Sequence, residues 1–170
     1  MATGRHTQLT KQIGEYLVAA EVCRRGFIAT TFTGNVPHYD IIASNSTGGH
    51  QAIQVKAISS DSSWQFDIRV FVDVQLEGQR QIIGRPVVPP YPGLVCVLVR
   101  LREYGTDDFY VLTWEDLQTA AIAAHRDYLG QHGGIRPKKP DSFHISIRPE
   151  MLAQHRDNWN VLEARLQDDV

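Results

Sequence analysis

Two short apolar segments separated by a run of turn formers constrain the fold of this chain more than any other feature. Residues 40–44 (DIIAS) and 52–56 (AIQVK) both have the β-branched, apolar composition of strands. Between them, residues 45–49 (NSTGG) are rich in residues that favour turns. These segments predict an antiparallel hairpin. With a turn centred near Thr47, the numbers of paired residues sum to about 94.

This register places three polar side chains on one face of the hairpin. Asp40 lies opposite Gln54, and Gln54 shares a face with Lys56 because strand side chains alternate with period two. The apolar side chains between them point to the other face, which can be buried: Ile41, Ile53 and Val55. One face of the hairpin therefore collects a carboxylate, an amide and an ammonium group.

Residues 7–25 predict a helix, because the segment contains no proline and only one glycine, Gly14. Apolar residues recur at helical spacing in two series, which indicates a helix that is contacted on two sides. The first series is Leu9, Ile13, Leu17 and Ala20, and the second, headed by Glu15, is Val18, Ala19 and Val22. A carboxylate at the head of such a series is expected to point along the protein rather than into bulk solvent. Lys11 lies one turn before it on the same face.

Taken in order, these elements resemble the PD-(D/E)xK nuclease superfamily, whose members have a restriction-endonuclease-like or resolvase-like fold. The resemblance lies in residues 14–17 (GEYL), which include helix-borne Glu15, in residues 35–40 (NVPHYD) and in residues 54–56 (QVK), within a core motif region of residues 7–57. It implies an α/β fold with a central mixed β-sheet flanked by helices. It further implies a restriction-endonuclease-like core with the element order αβββαβ, followed by a C-terminal helical extension.

The same resemblance implies a metal-dependent nuclease that hydrolyses phosphodiester bonds in DNA. Its catalytic residues are then Glu15, Asp40, Gln54 and Lys56. Its metal ligands are the side chains of Asp40, Gln54 and Glu15 and the backbone carbonyl of Val55. Mg²⁺ suits so sparse a set of oxygen ligands because it keeps several of its waters, and Mn²⁺ can stand in its place. Lys56 assists a metal-activated water.

Gln54 departs from the family pattern, which most often has Asp or Glu at this position. An amide is uncharged and is a weaker ligand than a carboxylate, so this Gln-x-Lys variant leaves two functions open. The first is an active nuclease, and the second is a catalytically inactive nuclease-fold module that binds nucleic acid or another protein. Each residue also has an ordinary structural interpretation, such as an exposed Lys11–Glu15 ion pair that contributes about 0.3–0.5 kcal/mol.

The charge distribution bears on the nucleic-acid partner, which the resemblance implies to be DNA. The formal net charge is −2, from 17 basic and 19 acidic side chains. Because non-specific binding depends on Lys and Arg neutralising phosphates, we expect modest affinity. The glycine- and proline-rich segment 131–140 contains Arg136, Lys138 and Lys139, which with Lys11 are the candidate phosphate contacts. A solvated loop accounts for this segment equally well.

The rest of the chain predicts the completion of one nuclease-like domain over residues 1–170. Strands are expected at residues 27–32, 64–70, 94–99, 108–113 and 142–147. Helices are expected at residues 114–130 and about 149–166, with Thr113 as the N-cap of the first. The proline-rich segment 84–93 predicts an extended surface connection.

Composition sets the remaining expectations. The chain is 42% hydrophobic and 21% charged, as in ordinary soluble proteins, and no stretch approaches the roughly 20 apolar residues that cross a membrane. Cys23 and Cys96 follow no metal or redox pattern, so we expect buried free thiols in a reducing, cytoplasmic setting. The three tryptophans are expected in the core. The spacing of the four C-terminal histidines matches no compact zinc motif. Cutting both strands of a duplex with one site per chain makes a homodimer a further expectation.

Overall fold

A five-stranded β-sheet lies at the centre of the computed structural model, which describes residues 4–34, 36–59 and 62–167. In chain order the elements are α1 (Gly4–Arg24), β1 (Ile28–Thr31), β2 (Ile41–Ser44), β3 (His50–Ser59), β4 (Trp64–Asp67), a 3₁₀ segment (Ile68–Val70), β5 (Val72–Glu77), β6 (Arg80–Pro86), β7 (Val95–Leu101), β8 (Asp108–Thr113), α2 (Trp114–Gln131), β9 (His144–Ile147), a second 3₁₀ segment (Pro149–His155) and α3 (Asn160–Gln167). The central sheet has the order β1-β2-β3-β7-β8, with β3 and β7 parallel and the other neighbours antiparallel. The expected α/β fold, with a central mixed sheet flanked by helices, is confirmed.

Two hydrophobic cores cover opposite faces of this sheet. On one face α1 and α3 contribute Val18, Val22 and Leu162, which pack with every second residue of the central strands. On the other face α2 and the short outer strands contribute Trp114, Leu117 and other apolar side chains. Because side chains alternate along β3, Gln54 and Lys56 point to the same side as the α2 core.

The hairpin formed by β2 and β3 has the predicted register. Ile41 pairs with Ile53 and Ser44 pairs with His50, so the paired numbers sum to 94. Strand β2 begins at Ile41, whereas β3 continues in the other direction to Ser59. The second half of β3 therefore lacks a backbone partner on the β2 side, and Asp40 stands where that pairing stops.

The connection from β3 to the parallel strand β7 is built, in its described part, from short strands instead of an α-helix. Strand β4 pairs with β9, and β5 pairs with β6 in a separate hairpin. Residues 64–70, expected as one strand, turn into a 3₁₀ segment because the Asp67 carboxylate accepts a hydrogen bond from the Arg69 N–H (2.9 Å). The β5–β6 hairpin was not predicted, and residues 84–86 pair in β6 instead of lying in a surface connection.

Helix α1 packs on the sheet through one side only. Val18 and Val22 are fully buried, and Gly14 is buried against Ala57 of β3. In contrast, Leu9 and Ile13 are 48% and 45% exposed, so the expectation of contacts on two sides was wrong. The spacing of the first series is helical, but the described structure brings no second layer over it.

The contact between α1 and β3 depends on glycine at position 14. A Cβ atom added there would lie 2.5 Å from the Ala57 Cβ, which is fixed to the strand backbone. Overpacking costs about 1–3 kcal/mol, and the roughly 1 kcal/mol that alanine gains over glycine in a helix offsets part of that cost. We expect Gly14→Ala to lower the free energy of unfolding by up to about 2 kcal/mol in urea denaturation.

Gly130 is the matched control for this substitution. It also lies in a helix, α2, but a Cβ atom there would meet no heavy atom within 4 Å. Gly130→Ala should leave the free energy of unfolding unchanged or raise it by up to about 1 kcal/mol. Equal effects of the two substitutions would contradict the close packing of α1 on β3.

The C-terminal segment is not one helix, as the prediction for residues 149–166 had it. The second 3₁₀ segment ends before Arg156, whose backbone is extended, and Asp157 has a positive φ of 52°. The Asp157 N–H donates to the Phe109 carbonyl (2.8 Å), and the Arg156 guanidinium binds the buried carboxylate of Asp108. Pairing with β8 therefore interrupts the helix, and α3 begins again at Asn160.

Burial confirms part of the expectations about the core. The three tryptophans are almost completely buried, as expected. Cys96 is buried, and that burial raises the pKa of its thiol. Cys23 is exposed near the end of α1, so the expectation of a buried thiol was wrong there; it lies on the side of the helix that faces away from the sheet. None of the helices in the described ranges combines the length and the apolar character that a membrane crossing requires.

Candidate active site

Asp40 is held by the backbone of β3 at the point where β2 stops. Its N–H donates to the Ile53 carbonyl (2.8 Å), and its Oδ2 accepts a hydrogen bond from the Val55 N–H (2.8 Å). The carboxylate thus takes the place of a strand partner for Val55. One oxygen is committed to this bond, and the other, Oδ1, is directed toward α1. This orients the carboxylate before any ligand binds.

Two side chains of α1 complete this part of the site. Lys11 Nζ lies 3.4 Å from Glu15 Oε1 and 3.5 Å from Asp40 Oδ1. Partial burial of the ammonium opposes its charge, but the attraction of Asp40 and Glu15 together outweighs that effect and raises the pKa of Lys11. The interpretation of Lys11 and Glu15 as a simple exposed ion pair is therefore incomplete, because Asp40 shares the same cation.

Gln54 and Lys56 lie beside Asp40 on β3, as the predicted register requires. The Gln54 amide makes no hydrogen bond with any side chain or backbone group in the part of the chain that the structure describes, and it lines the cleft described below. Lys56 is mostly buried, and this desolvation lowers the pKa of its ammonium although Asp40 acts in the opposite direction. Its Nζ lies 4.8 Å from the centre of the Phe66 ring, and its carbonyl accepts from Trp64 Nε1 (3.0 Å).

The oxygen atoms gathered here fit a small divalent cation. Two carboxylates, Asp40 and Glu15, already share one positive charge, the Lys11 ammonium. The Gln54 amide oxygen is free to turn toward them. The Val55 N–H points to the side that β2 leaves open. Because the carbonyl of an extended residue points to the same side as its N–H, the Val55 carbonyl also faces this side. Oxygen donors of this kind suit Mg²⁺, which takes few protein ligands and keeps several waters. Across the described residues no group of three or more His, Cys, Asp or Glu side chains could hold a metal ion.

A long cleft runs past these residues. Its volume is about 990 Å³, and its walls include Lys11, Asp40, Gln54 and Lys56 from the hairpin and α1. Further residues of its lining, most of them aromatic, were not identified from the sequence: Phe66, Phe71, Trp114, Ser142, Phe143 and His144. Glu15 lies in a smaller depression of about 370 Å³, which shares Lys11 and Asp40 with the cleft.

The predicted phosphate contacts occupy different positions. Lys11 lines the cleft, next to the carboxylates. Arg136 donates from Nη1 to the His144 carbonyl (2.8 Å) and stacks over the Tyr128 ring, so its side chain supports the wall of the cleft. Lys138 and Lys139 are exposed and lie outside the cleft lining. The structure thus brings the hairpin residues and Lys11 together at the cleft. Lys138 and Lys139 do not join them there.

A buried polar network holds the loop that precedes β9. His125 of α2 donates from Nε2 to Gln81 Oε1 (3.0 Å), and the Gln81 amide nitrogen donates to the carbonyls of Pro140 (2.7 Å) and Ser142 (2.9 Å). Gln81 and His125 are both buried. The network fixes the chain just before Phe143 and His144, which form the cleft wall. No sequence pattern indicated this pairing, because its members are 44 residues apart.

The comparisons with known proteins concern the fold. Neither the protein-family models nor the curated proteins give a match to this chain. A solved structure, that of a bacterial homing endonuclease, is similar to it with a TM-score of 0.51 and 14% sequence identity. The similarity covers 96% of this chain and 99% of the endonuclease chain. The chain therefore has a nuclease-like fold over almost its whole length.

His125 makes folding stability depend on pH. Burial, with a smaller contribution from the positive charge of Arg136, lowers its pKa from 6.5 to about 4. As the pH falls, His125 of the unfolded chain is therefore protonated near pH 6.5, whereas His125 of the folded chain is protonated only near pH 4. We expect stability to fall by roughly 2–3 kcal/mol between these pH values on this account.

His125→Gln should remove this pH dependence. Urea denaturation at pH 7 and pH 4.5 should show a lower free energy of unfolding for the variant at pH 7, since the packed imidazole is lost. The decrease on going to pH 4.5 should be smaller than in the unsubstituted protein. An equal decrease in both proteins would show that groups other than His125 account for the acid sensitivity.

Proposed function

We propose that this protein is a metal-dependent DNA endonuclease with a PD-(D/E)xK-type site of the Gln-x-Lys variety. One observation carries the proposal: the carboxylates of Asp40 and Glu15 converge on the Lys11 ammonium, and Asp40 lines a cleft together with Lys56. The similarity of the fold to that of a homing endonuclease supports DNA as the substrate. The resemblance in the sequence and the proximity of Asp40, Glu15 and Lys56 in the structure both support this proposal.

We assign four of these residues as metal ligands and Lys56 as the charged group that assists the reaction. Asp40 Oδ1, Glu15, the Gln54 amide oxygen and the Val55 carbonyl would hold Mg²⁺ or Mn²⁺. When bound, the metal supplies a water of lowered pKa and neutralises charge on the phosphate. Asp40 orients its free oxygen through the hydrogen bond from the Val55 N–H, so the ligand is positioned before binding. Waters complete the coordination of so small a set of protein ligands.

Lys56 faces the same part of the cleft from within the protein. Its long aliphatic chain lies among buried side chains, and its ammonium lies over the Phe66 ring. In this partly dry setting a fixed positive charge stabilises negative charge that develops on a phosphate oxygen better than a solvated charge does. Lys56 would also donate a hydrogen bond to the attacking water.

Asp40 and Lys56 are the decisive positions for a test of this function. The purified protein is incubated with supercoiled, linear, branched and single-stranded DNA and with RNA, in the presence of Mg²⁺ or Mn²⁺. We expect cleavage of DNA that a chelator abolishes. Asp40→Asn and Lys56→Met should each lower the cleavage rate by about 100-fold or more, because each removes a charge used in the transition state.

Matched controls make the same changes of charge at positions outside the cleft. Asp127→Asn on α2 and Arg24→Met on α1 alter exposed side chains that do not line it, and both should cleave at the unsubstituted rate. Cleavage that survives Asp40→Asn would refute the assigned site. Binding of nucleic acid in a gel shift without metal, together with no cleavage of any substrate, would instead favour the non-catalytic module.

Gln54 provides an independent test of the ligand assignment. Gln54→Glu adds a third carboxylate beside Asp40, so we expect Mn²⁺ to bind on the order of tenfold more tightly, measured by calorimetry without DNA. Gln65→Glu is the control, since Gln65 lines the same cleft from β4 and tests for a general effect of negative charge. Equal gains in the two variants would show that residue 54 does not face the metal.

A further inference from the structure

Lys11 occupies an unusual position for a residue whose partners are metal ligands. Its Nζ lies between Glu15 Oε1 and Asp40 Oδ1, at 3.4 Å and 3.5 Å. The second oxygen of Asp40 is committed to the Val55 N–H, so Oδ1 is the oxygen that remains for a cation. The ammonium and a divalent ion would therefore bind the same carboxylate oxygen.

Both cations cannot occupy this position together. An Mg²⁺ ion needs its ligand oxygens at about 2.0–2.1 Å, so an ion bound by both Asp40 Oδ1 and Glu15 Oε1 would lie in the space between them that the Lys11 ammonium occupies. Their like charges also repel at short range. Metal binding at Asp40 and Glu15 therefore requires the Lys11 side chain to move away.

The surroundings of Lys11 permit this movement. Its side chain is 49% exposed, and its described polar contacts are the two carboxylates. It lines both the cleft and the smaller depression, so rotation of the side chain alone can carry the ammonium from one to the other. No change of the α1 backbone is needed.

We propose that Lys11 is an internal counter-ion that holds the two carboxylates together in the metal-free protein and is displaced by the metal. This inference rests on the proposed function of the same site. The displaced ammonium stays at the cleft, where it adds a positive charge beside the phosphate of a bound nucleic acid. Lys11 is thus a positioning residue before metal binding, and its removal should favour the metal.

Mn²⁺ binding in the absence of DNA tests this directly. Electron paramagnetic resonance of free Mn²⁺, or calorimetry, gives the dissociation constant for the unsubstituted protein and for Lys11→Met, Lys11→Arg and Arg24→Met. We expect Lys11→Met to bind Mn²⁺ about tenfold more tightly, because the competing charge is lost. Lys11→Arg retains a competing cation, and Arg24→Met removes an exposed cation of the same helix, so neither should show that gain.

Asp40→Asn separates failure of this inference from failure of the proposed function. If Asp40→Asn weakens Mn²⁺ binding but Lys11→Met binds equally or less tightly than the unsubstituted protein, the counter-ion role is overturned and the metal site stands. If Lys11→Met alone binds Mn²⁺, competition is supported. If no variant binds Mn²⁺ at millimolar concentration, both proposals are overturned. Circular dichroism confirms folding, and Lys11→Gln replaces Lys11→Met if the latter does not fold.

Discussion

The hydrogen bond from the Val55 N–H to the Asp40 carboxylate is the interaction on which the arrangement of the candidate site depends. It occurs because β2 and β3 differ in length, so that a backbone N–H of β3 has no strand partner where the hairpin stops. A buried, unpaired N–H is unfavourable, and the side chain of Asp40 satisfies it. The same bond turns the second carboxylate oxygen toward Lys11 and Glu15. The bond that satisfies this backbone N–H therefore also orients the carboxylate that we propose as the principal metal ligand.

The candidate site combines side chains from both faces of the central sheet. Gln54 and Lys56 lie on the side of the α2 core, whereas Lys11 and Glu15 come from the helix that covers the opposite face. The shortness of β2 opens the gap through which these two sets of side chains meet. Close contact between Gly14 and Ala57 keeps α1 near enough to the sheet for Lys11 to contact Asp40. Backbone packing at position 14 thus controls a distance in the site.

Local pattern was sufficient to predict the hairpin and much of the central sheet. The pairing of Ile41 with Ile53 followed from the position of the turn, and the cap at Thr113 from its place before an acidic helical turn. Contacts between distant segments escaped prediction. Gln81 and His125 meet only because β6 and α2 fold over the same loop, and the break after the second 3₁₀ segment depends on Asp108 of another strand. The exposure of Leu9 and Ile13 shows the same limit, since helical spacing reveals a face but not whether anything covers it.

The parallel pairing of β3 with β7 gives the two halves of the candidate site different stiffness. Gln54 and Lys56 are opposite Cys96 and Leu98 on a strand that is buried in the sheet, so their backbone cannot shift without disturbing a core. Lys11 and Glu15 instead extend from a helix on long, flexible stems, and 49% and 19% of their side chains are exposed. Under the proposed function, adjustment to a bound ion or to a strand of nucleic acid should therefore come from the side chains of the helix. Gln54 and Lys56 should keep their backbone positions in the sheet while the side chains of Lys11 and Glu15 move.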